Sequence, residues 1–253
     1  MTVKTKELLD SLCNKMYQAG YEEFRISRVR ELIYELQQGG IYGIDRFTRK
    51  LSQRITDKQD YMDIFVEGRF AIILSRNGFS QISLEYSGTG PDIRANYNRQ
   101  TLYFEVTRRR PKEDEWAESF DTNAVKFDSP QNIISKIHEE LSQLLSGKIN
   151  IIVYWSSTIR VQYSKLKDAF QQEISSNPKF YNKLSGILFT ETEAINFSTL
   201  KQFYLVTNDR ASRPLGIRLI RKLGDLHSKP LKELQRQRKD LFAAYRRLKD
   251  RNI

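Results

Sequence analysis

Hydrophobic residues recur every three or four positions through residues 1–57, a spacing that predicts short helices. They form three groups: Leu8, Leu9, Leu12 and Met16, then Ile26, Val29, Leu32, Ile33 and Leu36, and then Ile44, Phe47, Leu51 and Ile55. Glycines 39, 40 and 43 separate the second group from the third. Three short helices can form a helix-turn-helix, but no diagnostic turn sequence is present. We therefore expect residues 1–57 to be a helical N-terminal extension that covers the next domain.

The pattern becomes mixed over residues 58–209, which predicts an α/β core in which helices pack against a sheet. The predicted elements are a helix over 61–76, strands over 79–86, 92–97 and 101–108, a helix over 129–147, a buried strand over 149–155, a helix near 162–175 and strands near 186–190 and 202–206. Ser129 is the expected N-cap of the second helix, with Pro130 as its first residue.

The segment 63–70 has two interpretations. It forms either a hairpin that turns at Glu67-Gly68 or part of the helix over 61–76. We favour the helix, because a glycine inside a helix costs only about 1 kcal/mol. In that helix Glu67 shares a face with Ile64, Phe70, Ala71 and Leu74. A charge there needs a metal ion or a cation such as Arg69, unless Glu67 lies at the rim of the core.

The net charge of +11 is concentrated at one end of the chain. Residues 210–253 contain 14 basic and 4 acidic side chains, whereas residues 58–209 contain 18 and 19. We predict a basic C-terminal helical arm over 210–253 and a polyanionic partner, nucleic acid rather than a membrane. A solvated helix with basic outer faces is the alternative that the charge alone leaves open.

Composition excludes several other classes. The longest apolar runs, 70–74 and 149–155, are far shorter than the roughly 20 residues that cross a bilayer. One cysteine, Cys13, permits no internal disulfide and suits a reducing compartment. Two histidines, His138 and His227, argue against a histidine-rich zinc site. We expect a cytoplasmic protein that does not interact with membranes.

Two acids on the predicted hairpin are the strongest candidates for chemistry. Asp92 begins one strand, and Glu105 lies within its partner. Strand alternation places Glu105 opposite the apolar face of Leu102, Phe104 and Val106. Two adjacent carboxylates repel each other unless a proton or cation joins them. Oxygen ligands with few histidines suit Mg²⁺ or Mn²⁺.

The run Pro91-Asp92, a hairpin and then Glu105-Val106-Thr107, followed by a helix and a buried strand, resembles the PD-(D/E)XK nuclease superfamily. The resemblance covers roughly residues 58–160. It implies a restriction endonuclease-like core and Mg²⁺-dependent hydrolysis of phosphodiester bonds. It also implies that the metal ligands are Asp92, Glu105, Glu67 and the backbone carbonyl of Val106.

The sequence departs from the superfamily at Thr107, where the pattern has lysine. In some members the cation lies on a neighbouring element, and Lys136 on the next helix is the best candidate here. Lys136 lies on one flank of that helix with Glu140 and Gln143, and Gln143 would play a supporting role. Arg108 is a weaker substitute, because alternation points it away from Thr107.

These residues predict an endonuclease of the restriction or repair type that acts on DNA, as a homodimer or in a larger nucleoprotein complex. The alternative is a catalytically inactive relative that binds nucleic acid or scaffolds such a complex, as the missing lysine suggests. The expected phosphate contacts are Arg108, Arg109, Arg110 and Lys112 after the acidic strand, and Arg236, Arg238, Lys239, Arg246 and Arg247 in the C-terminal arm.

Overall fold

The structure, a computed structural model, describes residues 3–85, 90–110, 129–156, 163–195 and 198–227, without the side chains of 191–202. Its helices are α1 (Val3–Gln18), α2 (Glu23–Gln38), α3 (Ile44–Arg54), α4 (Lys58–Arg76), α5 (Pro130–Glu140), α6 (Tyr163–Ser176) and α7 (Ile217–Gly224). Its strands are β1 (Ser80–Leu84), β2 (Ile93–Tyr97), β3 (Gln100–Arg108), β4 (Ile149–Trp155), β5 (Leu184–Ile195) and β6 (Ser198–Thr207).

The six strands form one mixed sheet in the order β1-β2-β3-β4-β5-β6. Neighbours pair antiparallel at both ends of the sheet, while β3, β4 and β5 are parallel in its centre. Parallel strands need a crossover, and α5 and α6 occupy the two crossover segments. The mixed pattern of the sequence thus correctly predicted an α/β fold with flanking helices.

Each face of the sheet has its own hydrophobic core. On one face α1–α4 and α7 cover the side chains of Leu102, Phe104 and Val106. On the other face α5 and α6 pack against Ile152, Tyr154 and residues of β5. Strand β4 is buried along its whole length, as the continuous apolar run 149–155 predicted.

The structure confirms some of the predicted helix boundaries and changes others. Residues 63–70 lie inside α4, so the helix is confirmed and the hairpin interpretation is wrong. Ser129 caps α5, and its hydroxyl accepts a hydrogen bond from the amide of Asn132 at 3.2 Å. The helix predicted to end at Gly147 instead ends at Glu140, followed by a 3₁₀ turn over Leu141–Gln143. Leu144 is buried from extended backbone, so its helical spacing was misleading.

The predicted boundaries do not separate independent cores. Residues of α1, α2 and α3 share one continuous core with α4 and the sheet, so residues 1–57 are part of the same packed unit. Residues 210–227, expected to begin a separate arm, fold onto the sheet and bury Leu219 and Leu223. Residues 228–253 lie outside the described residues.

Within the described ranges, no helix is long and apolar enough to span a membrane.

Helix α3 approaches the sheet through Gly43. The amide of Tyr42 donates to the carbonyl of Ile82 at 2.9 Å, and the amide of Leu84 donates back to Tyr42 at 3.0 Å. Gly43 follows with φ +83°, and a Cβ built on it would lie 2.2 Å from the carbonyl oxygen of Leu84. Only glycine fits both the left-handed conformation and this contact. Gly43 therefore fixes the start of α3 beside the end of β1.

Replacing Gly43 by alanine should destabilise the fold more than the same change at Gly20. Both glycines have positive φ, but a Cβ on Gly20 would meet nothing within 4 Å. Gly20→Ala should therefore cost only the conformational strain, about 1–2 kcal/mol. Gly43→Ala should cost about 1–3 kcal/mol more, because backbone must move. Urea unfolding of both variants measures the difference, and equal losses would contradict the close approach.

Candidate acidic site

The candidate site lies where β1 ends and β2 begins, beneath helices α3 and α4. Glu67 projects from the buried side of α4, Glu85 follows β1, and Asp92 immediately precedes β2. One carboxylate oxygen from each of the three lies within 4.8 Å of the others. The structure therefore brings together Glu67 and Asp92, both predicted as metal ligands, and adds Glu85, which sequence analysis had missed.

The ammonium of Lys50, on α3, contacts all three carboxylates. Its Nζ lies 2.9 Å from Oε2 of Glu67, 2.7 Å from Oε1 of Glu85 and 3.4 Å from Oδ1 of Asp92. The partner of Glu67 is thus neither Arg69, which pairs with Glu35, nor a residue of its own helix. Lysine has three N–H donors, and here each faces a different acid.

Close packing between α3 and α4 puts Lys50 within reach of Glu67. Gly68 follows Glu67 directly, and a Cβ built on it would lie 2.6 Å from Cζ of the buried Phe47 on α3. The absence of a side chain at residue 68 thus allows the two helices to approach. Lys50 lies almost one helical turn beyond Phe47, beside the acids.

Glu85 reaches the cluster from a strained backbone. Its φ is +51°, a left-handed conformation that costs a non-glycine residue about 1–2 kcal/mol. Its amide donates to the carbonyl of Asp92 at 2.9 Å, which holds the two acidic residues side by side. Strain that persists because the surroundings enforce it is common at binding sites.

Burial and mutual repulsion control the charges in the cluster. Loss of solvent raises the pKa of Glu67 well above its ordinary value, and the charge of Asp92 raises it further. Burial also raises the pKa of Asp92, although Lys50 opposes the shift. Burial alone would lower the pKa of Lys50, but Glu67, Asp92 and Glu85 outweigh it, so the pKa is raised and the ammonium stays charged. One cation thus compensates three acids only in part.

Asp92 also binds the neighbouring strand. Its Oδ2 accepts a hydrogen bond from the amide of Val106 at 2.9 Å. The backbone pairing between β2 and β3 ends at Ile93–Phe104, so this side-chain hydrogen bond continues the link between the two segments beyond the last backbone pair. Because the amide and carbonyl of one strand residue point to the same edge, the carbonyl of Val106 also lies on the side of Asp92.

Glu105 lies close to the cluster without joining the triplet. Its side chain is 4% exposed, and its Oε2 is buried without a hydrogen-bond partner. Burial, together with the charges of Asp92 and Glu140, raises the pKa of Glu105 to about 10. The expected repulsion between Asp92 and Glu105 is therefore present.

Glu105 faces a second polar group, on the α5 side of the sheet. The hydroxyl of Thr107 donates to Oε1 of Glu140 at 2.9 Å, and Nζ of Lys136 lies 3.0 Å from the same oxygen. Gln143 donates to Oε2 of Glu140 at 2.9 Å. The structure thus brings Thr107, Lys136 and Gln143 together, and Glu140 links them. Lys136 and Glu140 share the helix flank that their spacing predicted, whereas Gln143 lies in the 3₁₀ turn that follows the helix. Lys136 also pairs with Glu139 at 2.7 Å.

The predicted phosphate-binding arginines have different surroundings. The Arg108 side chain is 3% exposed, and its Nε lies 2.7 Å from Oδ1 of Asp63 on α4. Arg110 pairs with Asp63 and with Asp60. Arg108 therefore ties β3 to α4, and we correct its assignment as a phosphate contact, because burial removes it from any surface that phosphate could reach.

Arg109 makes a backbone contact between strands. The amide of Arg109 donates to the carbonyl of Trp155 at 3.0 Å, which joins β3 to β4 beyond the last ladder pair. The remaining predicted contacts, Lys112, Arg236, Arg238, Lys239, Arg246 and Arg247, lie outside the described residues.

The donors present suit a hard divalent cation. Carboxylate oxygens of Glu67, Glu85 and Asp92, with Glu105 and the carbonyl of Val106 nearby, are the ligand types that Mg²⁺ and Mn²⁺ prefer. The unpartnered Oε2 of Glu105 is the observation that fits best, because a buried carboxylate oxygen without a donor is costly.

The sequence contains only weak signals for Lys50 and Glu85. Lys50 lies on the flank of an amphipathic helix in the segment that was expected only to cover the next domain. Glu85 comes just after a strand with alternating apolar and polar residues. Neither position departs from the pattern of a solvated residue. Only the approach of α3 to α4 and β1 brings them to Asp92.

Replacing Glu105 by glutamine should reduce a pH dependence of stability in the metal-free protein. Because its pKa of about 10 in the folded state exceeds the ordinary value of about 4.3, the unfolded chain releases a proton that the folded protein retains. Stability should therefore fall as pH rises between these values, by at most about 1.4 kcal/mol per pH unit. Glu105→Gln should flatten this fall and be more stable than wild type in alkali.

Urea unfolding in chelator at several pH values between about 6 and 9 measures this slope. Glu7→Gln provides the matched control, since Glu7 is exposed on α1 and far from the cluster in sequence. We expect that control to follow the wild-type slope. An unchanged slope in Glu105→Gln would show that Glu105 is ionised in the folded protein.

Comparison with known proteins adds no family to this geometry. No protein-family model matches the chain, and no curated protein matches it. Any functional assignment therefore depends on the site itself.

Proposed function

We propose that the protein is a Mg²⁺- or Mn²⁺-dependent nuclease of the PD-(D/E)XK type that hydrolyses phosphodiester bonds in DNA. One observation carries the proposal: the carboxylates of the buried Glu67 and the half-buried Glu85 and Asp92 lie within 4.8 Å of one another, beside Glu105 with its unpartnered oxygen. Such a cluster is expensive to maintain unless a cation binds it.

The order of elements supports this assignment. The chain order is the one that the resemblance implies: helix α4, the antiparallel strands β1, β2 and β3, helix α5 and the parallel strand β4. The acids also occupy the corresponding positions. Glu67 lies on α4, the first helix of the resembling segment, Asp92 lies directly before β2, and Glu105 lies inside β3.

In this proposal Asp92, Glu67, Glu105 and the carbonyl of Val106 hold the ion, and Glu85 is a further ligand. A bound ion of this class makes its water more acidic and neutralises charge that develops on the scissile phosphate. The chain would position the reacting water through Thr107, whose hydroxyl donates to Glu140 and so leaves its lone pairs free to accept. Lys136 pairs with Glu140 and keeps it oriented toward Thr107.

A second observation supports a polyanionic substrate. A cavity of about 250 Å³ lies at the end of the sheet where β3 and β4 begin. Arg99, Lys148 and Arg213 from three different loops line it, and no carboxylate does. Among the described residues, these three cations have no ion-pair partner. Three like charges without an acid between them favour a phosphate.

The cavity and the acids are separated along one strand. Gln100 and Thr101 line the cavity, and Glu105 lies four or five residues further along β3, roughly 13–16 Å away at 3.3 Å per residue. One DNA strand contacting both would span more than one nucleotide. The cavity would thus bind a phosphate remote from the cleaved bond.

A catalytically inactive domain that binds nucleic acid is the second candidate. Lys50 already compensates the acids in part, and Thr107 contributes no positive charge. In that case the acidic cluster is an ion-pair network that stabilises the fold. The two functions differ in whether a divalent ion binds.

Asp92→Asn should abolish Mn²⁺ binding at the acidic site and reduce Mg²⁺-dependent cleavage of a plasmid by at least about a hundredfold, since metal assistance contributes several kcal/mol. Asp168→Asn is the matched control, because Asp168 is exposed on α6. Calorimetric titration with Mn²⁺ and cleavage assays measure both effects. If wild type binds no Mn²⁺ and cleaves nothing, the inactive alternative is correct.

Removing two cations from the cavity should weaken DNA binding more than removing two cations elsewhere. Arg99→Gln/Arg213→Gln should lower affinity and reduce the slope of log affinity against log salt by about 0.9 for each phosphate that is no longer neutralised. Arg28→Gln/Arg218→Gln changes the net charge equally at exposed positions outside the cavity. Equal effects in both double variants would reject a specific phosphate contact in the cavity.

A further inference from the structure

Lys50 is bound by the acidic site as a ligand would be. Its side chain is 32% exposed, but its ammonium lies within 3.4 Å of Glu67, Glu85 and Asp92. It comes from the N-terminal helices, outside the segment 58–160 that carries the resemblance. Both oxygens of Glu67 lie within 3.1 Å of Nζ. All three N–H donors of the ammonium are therefore used by acids.

An ion and the ammonium cannot bind these oxygens together. Mg²⁺ binds oxygen at about 2.1 Å, so an ion held by the three carboxylates would lie between them, where Nζ now approaches. Two cations at that separation in a partly buried site also repel each other strongly. Contact with Lys50 and contact with the ion are therefore alternatives for the same acids.

Without any cation, the cluster would be unstable. Glu67 is 5% exposed and Glu105 is 4% exposed, and the charges of Asp92 and Glu85 act on the same region. Burial of several carboxylates without compensation costs far more than one hydrogen bond. Lys50 thus allows the acids to assemble while the protein is metal-free. The unpartnered oxygen of Glu105 remains, since Lys50 does not reach it.

We propose that Lys50 is a built-in competitor of the divalent ion: its ammonium occupies the carboxylates in the metal-free protein and must leave before the ion binds. This inference rests on the metal-dependent function proposed above. It predicts that Lys50 of α3 raises the metal concentration needed to fill the site. The reason is that the free energy required to displace the ammonium reduces the net free energy of metal binding. The strained backbone of Glu85 and the contact of Gly43 with Leu84 hold the competing groups in place.

The test compares Mn²⁺ affinity in two variants and the wild type. Lys50→Met keeps an unbranched side chain with good helix propensity but removes the charge. We expect it to bind Mn²⁺ about 10- to 100-fold more tightly, the factor that corresponds to one charge-assisted hydrogen bond no longer broken. Lys50→Arg keeps the charge and adds a fork that engages carboxylates in pairs, so it should bind Mn²⁺ more weakly than wild type.

Lys15→Met is the control for removal of a surface lysine near α3, since Lys15 donates to the hydroxyl of Ser52 on that helix at 3.0 Å. Its Mn²⁺ affinity should equal that of wild type. Melting temperatures in chelator give a second readout, in which Lys50→Met should melt lower than wild type and gain more on addition of Mn²⁺. Lys50→Arg keeps the inference testable if Lys50→Met does not fold.

The outcomes separate this inference from the proposed function. Equal Mn²⁺ affinity in Lys50→Met and wild type, or weaker binding in Lys50→Met, would overturn the competition and leave a metal-dependent site intact. Equal or tighter binding in Lys50→Arg would overturn it as well. No Mn²⁺ binding to any of the three proteins would reject the metal-dependent function, and the competition with it.

Discussion

The compensation of three buried or half-buried acids by one ammonium is the constraint around which this end of the molecule is organised. Glu67 and Asp92 belong to the helix and the strand that form the core, so their positions follow from packing of the sheet. Lys50 reaches them only because α3 contacts both β1 and α4 closely. Those contacts depend on two glycines, Gly43 and Gly68, at which a single added carbon would collide with neighbouring atoms. The N-terminal helices are therefore part of the site.

Strand β3 divides the polar groups into two sets with different electrostatics. On the α4 side, the acids share Lys50 and remain only partly compensated. On the α5 side, Glu140 is fully engaged by Thr107, Lys136 and Gln143. Glu105 lies next to both sets. Lys50 and a hydrogen bond from the backbone of Asp92 lower its pKa, but burial and the charges of Asp92 and Glu140 raise it more. Its Oε2 is left without a hydrogen-bond donor.

The basic residues also separate by role. Arg108 and Arg110 follow the acidic strand in sequence, yet they pair with Asp63 and Asp60 of α4 and secure that helix to β3. Within the described part of the chain, three cations without an ion-pair partner, Arg99, Lys148 and Arg213, line a cavity at the opposite end of the strand. Proximity in sequence to a catalytic candidate is thus a poor guide to phosphate binding, because a buried arginine is stable only when it is paired with a carboxylate.

By itself the sequence determined the helices of the N-terminal region, the hairpin of β2 and β3, the buried strand β4 and the α/β class, since each depends on local periodicity and on caps such as Ser129. It also singled out Glu67, Asp92 and Glu105 as candidate metal ligands, because a charge on an apolar face or beside another acid needs a cation. Only the tertiary structure decided that Lys50 and Glu85 join Glu67 and Asp92, that Glu105 lies beside Glu140, and that Arg108 is buried. The contacts of Lys50 and Arg108 with their acids join residues between 17 and 45 positions apart, and they depend on how closely helices approach the sheet. No local pattern specifies that distance.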